Sequence, residues 1–233
     1  MQDIKALTFD TGGTILDWHS GLKRQFAAAG LRRGVECDWT ALTNDYRRRA
    51  LGGIVNAIGH RYNFDDVHRA ELDKLLKEQG LDAFTADDRA AIFRALYELD
   101  AWPDFVPGLD RLRRRYPCIS FTLLSTALVI AVSRRNAILW DAVISCEMLG
   151  IYKVRPQAYQ GAAKLLQLQP EEILMVACHN FDLDAARRED MKTCFVRRPA
   201  EWGPPGPPDP TPNPACDLIV DTFPELADKL DCK

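Results

Sequence analysis

The chain has 233 residues, 47% of them hydrophobic, and a formal net charge of −3, enough apolar material for a sizeable buried core. Without a global positive field it has no electrostatic basis for contact with nucleic acid or an anionic membrane surface. No stretch approaches the roughly 20 apolar residues of a membrane span, so a small molecule is the expected partner.

The first strand is the apolar run Ala6-Leu7-Thr8-Phe9, which delivers Asp10 to its C-terminal tip, where Gly12-Gly13 lets the chain turn. In an open α/β sheet such a tip faces the ligand crevice, although an Asp after a strand also caps turns. Apolar residues then recur at helical spacing through Leu22, Phe26 and Ala29, through Leu72, Leu75 and Leu76, and through Ile92, Leu96 and Leu99. No strand pattern returns before Ile119, so residues 16–101 read as a helical insertion. Trp102–Leu109, with its Pro and Gly, reads as a hinge back to the core, and Gly108–Tyr116 as a helix. A strand over Ile119–Leu124 ends at Ser125-Thr126, and a short strand follows at Ala142–Ser145. Pro156–Leu168 reads as a helix with Pro in its first turn. The buried strand Ile173–Ala177 runs into Cys178-His179-Asn180-Phe181-Asp182, a helix opens at Asp184, and strands recur at Thr193–Val196 and Leu218–Val220. The Pro-rich tract Trp202–Pro210 is a loop. Strands alternating with helices imply right-handed βαβ units around a parallel sheet. The seven cysteines are scattered, without the paired close spacing of a zinc site. With no signal segment ahead of the first strand, they predict reduced thiols in a cytoplasmic protein.

Four segments stand in an order that resembles the haloacid dehalogenase superfamily: Phe9-Asp10-Thr11-Gly12-Gly13-Thr14, Leu123-Leu124-Ser125-Thr126, Tyr152-Lys153-Val154-Arg155-Pro156 and Cys178-His179-Asn180-Phe181-Asp182. Within it the chain is most similar to type II 2-haloacid dehalogenases, especially a branch with His179-Asn180 in the fourth segment and Arg198-Pro199-Ala200-Glu201-Trp202-Gly203 after the next strand. The resemblance implies a Rossmann-like α/β core, a parallel sheet flanked by helices, over residues 1–15 and 102–233, with an inserted α-helical cap over 16–101. It also implies roles. Asp10 is the nucleophile that forms an aspartyl ester, Lys153 keeps it ionised, and Asp182 pairs with Lys153 and readies the hydrolytic water. Ser125 hydrogen-bonds an Asp10 oxygen or the substrate carboxylate, and Thr14 tightens the loop around Asp10. Arg47, in Tyr46-Arg47, grips the substrate carboxylate or the departing halide, and Phe64 closes over the substrate, with Thr126, His179 and Asn180 completing its site. A homodimer is implied by the resemblance alone.

Plainer readings stand beside these. Arg47 belongs to a run of three arginines that also suits a solvated face, and Arg49 is the other candidate to point inward. Phe64 also suits the core of the helical insertion, and Asp184 reads as a helix N-terminal acid. The departures from related phosphatases are informative. Those enzymes carry an Asp two residues after the nucleophile, where this chain has Gly12, and a metal-binding acid where it has Cys178. Chemistry at carbon with a halide leaving group needs neither, so no metal and no cofactor are implied. Two departures from the dehalogenases are also legible: Gly12 opens a hole in the pocket wall, and Thr126-Ala127 replaces the customary Asn-Gly. The expected function is hydrolysis of a short 2-haloacid; a phosphatase or phosphonate hydrolase, and a degenerate binder of small carboxylates, are the alternatives.

Overall fold

The computed structural model describes residues 3–56 and 63–233. Six parallel strands form one sheet: β1 (Ala6–Phe9), β2 (Cys118–Thr122), β3 (Ala142–Ser145), β4 (Ile173–Ala177), β5 (Lys192–Val196) and β6 (Leu218–Val220), in the order β3-β2-β1-β4-β5-β6. Strands β1, β2 and β4 are buried along their whole length, which is why they read as continuous apolar runs rather than alternating ones. The order reverses at β1: β2 and β3 extend the sheet on one side, β4 to β6 on the other. The crevice at such a reversal is where an open α/β sheet takes its ligands, and Asp10 follows the last residue of β1, its N–H still donating to Val176 O at 2.9 Å.

Between β1 and β2 lie helices α1 (Trp18–Arg33), α2 (Trp39–Asn56), α3 (Phe64–Glu78) and α4 (Ala86–Arg94), then a 3₁₀ turn at Ala95–Glu98. Their ends follow local chemistry. Asp17 caps α1 by accepting the Ser20 N–H, Asn63 caps α3 through Asp65 and Asp66 N–H, and Thr85 with Asp88 forms a capping box on α4. Helix α1 packs on α2 and α4, and α2 packs on α3. Where the chain leaves and re-enters the sheet, the two crossings are tied together: Asp17 N–H donates to Asp100 O at 2.9 Å and Trp102 N–H to Ile15 O at 2.8 Å.

The remaining helices flank the sheet: α5 (Phe105–Leu112), α6 (Thr126–Arg135), α7 (Cys146–Leu149), α8 (Pro156–Leu166), α9 (Asn180–Arg188) and α10 (Phe223–Lys229). Two boundaries correct the sequence reading. The segment read as a hinge is helical from Phe105, because Pro107 falls in the first turn, where a missing N–H costs no helical bond. Gly108 serves packing instead: a Cβ there would lie 2.4 Å from the Phe223 Cβ. Helix α9 opens at Asn180 rather than Asp184, which puts Asp182 in its first turn. All seven cysteines are free thiols, and among the described residues no helix is long and apolar enough to cross a membrane.

Buried inside the α1–α4 cluster, His68 lies against Phe64 with ring centroids 3.9 Å apart and ring planes tilted by 30°, and its Nδ1 lies 3.0 Å from Phe64 O. Burial, helped by the charge of Arg47, drops its pKa from 6.5 to about 3. The unfolded chain therefore binds a proton below about pH 6.5 that the folded chain refuses until about pH 3. Stability is expected to fall across that window as pH drops, by up to about 1.4 kcal/mol per pH unit from this group. Urea melts of the protein and of His68→Gln at several pH values check it: the variant should lose that part of the slope.

Candidate active site

Every oxygen of the Asp10 carboxylate is engaged. Oδ1 lies 3.2 Å from Lys153 Nζ, while Oδ2 accepts from the Thr14 hydroxyl at 2.7 Å and lies 3.2 Å from His179 Nδ1. Burial alone would raise its pKa, but Lys153 and His179 outweigh it and hold the carboxyl well below the usual carboxylate range. Thr14 in turn accepts the Cys178 N–H at 3.0 Å, so the turn after β1 is fastened to the end of β4. Lys153 is 2% exposed and is shared: its Nζ also donates to Asp182 Oδ2 at 2.9 Å and sits 4.7 Å from the Phe121 ring centroid. Burial opposes its charge, yet Asp182 and Asp10 together raise its pKa, so it stays an ammonium. Asp182 is closed off further by the Tyr159 hydroxyl, which donates to Oδ1 at 2.6 Å.

On the other side of Asp10, His179 bridges two acids. Its Nε2 lies 3.0 Å from Glu201 Oε1, an oxygen that also accepts the Trp18 indole N–H at 3.1 Å. Glu201 is 1% exposed; burial would raise its pKa, but His179 draws it below the ordinary value. Burial pushes the neighbouring Cys178 thiol up to about 11, so it is protonated at neutral pH. The histidine itself is raised well above its ordinary value, because the negative charge around it outweighs the burial that disfavours its cation. With Cys178 a thiol, that charge is carried by the carboxylates of Glu201 and Asp10.

Arg47, on α2, reaches the same cavity. Its Nη2 donates to Gly12 O at 3.3 Å, and its guanidinium lies 5.3 Å from the Trp18 ring centroid. A Cβ on Gly12 would fall 3.2 Å from that Nη2, so the space that Gly12 leaves in the wall is taken by the guanidinium. Arg48 lies over Trp202 and Arg49 pairs with Asp45 and Glu78, which leaves Arg47 as the inward member of the run. The cavity at Asp10, about 20 Å³, is also lined by Phe64, Leu124, His179 and Phe181.

With a buried carboxylate at a strand tip, paired with a buried lysine and followed by Thr14, the chain matches over residues 4–188 the model of the family described as haloacid dehalogenase-like hydrolase. The chain belongs to that family. It is similar to the (S)-2-haloacid dehalogenase 4A of Burkholderia cepacia, with 26% identity over 212 residues and 85% of each chain covered. Among solved structures it resembles a defluorinating L-2-haloacid dehalogenase, with a TM-score of 0.90 and 32% identity over 98% of this chain and 96% of that one. A second L-2-haloacid dehalogenase matches with a TM-score of 0.89 and 33% identity over 98% and 99%.

In this haloacid dehalogenase-like hydrolase the residues expected at the site fall into two groups. Asp10, Thr14, Arg47, Lys153, His179 and Asp182 converge, and Phe64 lines the cavity. Ser125 does not bond Asp10. Its Oγ accepts the Leu128 N–H at 3.2 Å as the cap of α6 and donates to Asp65 Oδ1 at 3.2 Å, because capping a helix turns a hydroxyl toward the helix's own first turn. Thr126, the first residue of α6, does not line the cavity; Thr122, Leu123 and Leu124 do. Asn180 is likewise turned away from Asp10. Its amide donates to Asp209 Oδ2 at 2.6 Å and Thr211 O at 2.7 Å, holding the Pro-rich loop, while Phe181 stacks on His179 with centroids 5.1 Å apart. Asp184 accepts from Arg187 and Asn213, as a helix acid does.

Three residues that contact the cluster around Asp10, namely Glu201, Trp18 and Tyr159, carry no role in the four segments. Glu201 had a signal, the acid of the Arg198–Gly203 segment, and Gly13 gives it room: with φ +94, any Cβ there would fall 2.1 Å from Glu201 Oε1. Trp18 and Tyr159 had none.

Proposed function

We propose that the hydrolase cleaves the carbon–halogen bond of short 2-haloacids through an ester on Asp10, with α1–α4 acting as a cap over the site. The observation that carries the reading is the setting of Asp10: a buried, ionised carboxylate beside Lys153, with Gly12 rather than an acid two residues on. Such a group attacks carbon when the leaving group lies in line. A departing halide takes its electron pair without a proton, whereas an alkoxide leaving phosphorus calls for a general acid, and no carboxyl stands at residue 12. Similarity to proteins named (S)-2-haloacid dehalogenases supports the same substrate class. The inward guanidinium of Arg47 suits the substrate's carboxylate. Arg47→Lys keeps the charge but loses the fork, and steady-state kinetics should find KM raised roughly tenfold to a hundredfold.

In the first half-reaction the Asp10 oxygen bonds to the α-carbon as the carbon–halogen bond breaks. In the second, water attacks the Asp10 carbonyl carbon, the ester bond breaks, and a 2-hydroxyacid leaves. The balance is haloacid plus water giving hydroxyacid, halide and one proton. Asp182 has both oxygens occupied by Lys153 and Tyr159, so its part is to hold Lys153, and we assign the proton-accepting role to His179. Its Nδ1 faces Asp10 and Glu201 orients the ring from Nε2. Esterification removes the negative charge of Asp10 and with it one reason for the ring to keep its proton, so Nδ1 releases that proton to solvent, the one proton of the balance, and is free to take another from the attacking water. A single turnover in heavy-oxygen water tests the route. Label should enter Asp10 while the first hydroxyacid carries none, and label appearing directly in that product would overturn the ester mechanism.

A further inference from the structure

We propose that Cys178, His179 and Glu201 form a binding site for a thiophilic divalent cation of the Zn²⁺ kind, and that the ion arrests the hydrolase after its first half-reaction. The three donors are brought together by adjacent strands: Cys178 and His179 follow β4, and Glu201 follows β5. Their donor atoms lie within 4.8 Å of one another. Cys178 Sγ is 3.4 Å from His179 Nε2, Nε2 is 3.0 Å from Glu201 Oε1, and Sγ is 3.6 Å from Glu201 Oε2. With zinc–ligand bonds of about 2.0–2.3 Å, the edges of a tetrahedron run roughly 3.2–3.6 Å, so little movement is needed to bring the three onto one ion.

The donor set selects the metal. One sulfur and one imidazole nitrogen suit Zn²⁺ or Co²⁺, whereas Mg²⁺ and Ca²⁺ take oxygen ligands. The surroundings suit it too. A ligating histidine characteristically gives its other nitrogen to a carboxylate, which fixes the ring; here Nδ1 faces Asp10 Oδ2. The carboxylate is steadied by the Trp18 indole, and the thiol lies 3.4 Å from the Thr14 hydroxyl. Binding sends the thiol proton, and any proton held on Nε2, to solvent.

The consequence for turnover rests on the dehalogenase reading given above; the binding does not. With a cation on Nε2, the one remaining ring proton sits on Nδ1, turned toward Asp10, and the ring has no lone pair for water. Alkylation of Asp10 needs no such lone pair. The bound ion therefore lets the ester form and stops its hydrolysis.

Co²⁺ titration of the full-length, metal-free protein tests the site without reference to activity. One equivalent should bring a near-ultraviolet thiolate-to-cobalt band and the visible bands of a tetrahedral ion. The near-ultraviolet band should vanish in Cys178→Ser, survive in Cys37→Ser, which removes the exposed thiol, and need at least tenfold more cobalt in Glu201→Gln. Absence of that band, or a band lost in Cys37→Ser but kept in Cys178→Ser, overturns the site. In a second measurement 2-chloropropionate is added with one equivalent of Zn²⁺. Halide release should stop at one per chain and resume with a chelator, and undiminished turnover in a protein whose cobalt spectrum is as expected overturns the arrest. If the metal-free protein releases no halide at all, the dehalogenase reading fails while the cobalt result stands by itself.

Discussion

Asp10→Asn should abolish halide release from 2-haloacids, by roughly a thousandfold or more, while the protein still folds. The amide has the shape of the carboxylate and can still accept from Thr14, so the turn after β1 stays fastened to β4. What it lacks is the electron-rich oxygen that the proposed attack on carbon requires. Lys153 keeps Asp182 as a counter-charge at 2.9 Å, so the variant does not strand a buried ammonium, the case that costs most in stability. Halide release measured beside a thermal melt separates the two effects. A variant that melts normally and still releases a tenth of the halide would show that the nucleophile lies elsewhere.

The second large effect is expected at His179. His179→Asn should leave the attack on carbon largely intact and slow ester hydrolysis by roughly a hundred- to ten-thousandfold, the usual worth of a general base. The signature is a burst of one halide per chain followed by a stall, with the peptide carrying Asp10 heavier by the carboxyalkyl group of the ester. Loss of both half-reactions in equal measure, with no ester trapped, would instead mean that the histidine only supports the shape of the site. Measuring the burst in rapid-quench experiments distinguishes these outcomes.

The parts of this site that are legible in the sequence are those in which one residue's type and place in a short segment decide its position. Asp10 follows a wholly buried strand, and Lys153 stands just ahead of the proline that opens α8, so neither needs long-range information. For Ser125 and Asn180 the same short segments point inward, yet a residue at a helix start serves the helix or the adjoining loop first, and only the Asp65 and Asp209 contacts, 60 and 29 residues away in sequence, reveal it. Glu201 meets Trp18 across 183 residues, and Tyr159 meets Asp182 across 23; no periodicity encodes such pairs. Gly12, read as a gap, is filled by Arg47 from a helix 35 residues on.

The contacts that tie α3 to the helices flanking the sheet carry an expected consequence for affinity. Asp65 on α3 accepts from Ser125 at the start of α6 and from Tyr97, and the Phe64 N–H donates to Glu147 on α7 at 2.8 Å. An internal space of about 20 Å³ has room for about one water molecule, so under the proposed function a haloacid is expected to enter only when these contacts part. On that reading a Michaelis constant reports an opening equilibrium multiplied into the intrinsic contacts, and Asp65→Asn, which weakens the contacts with Ser125 and Tyr97, should lower KM in steady-state kinetics.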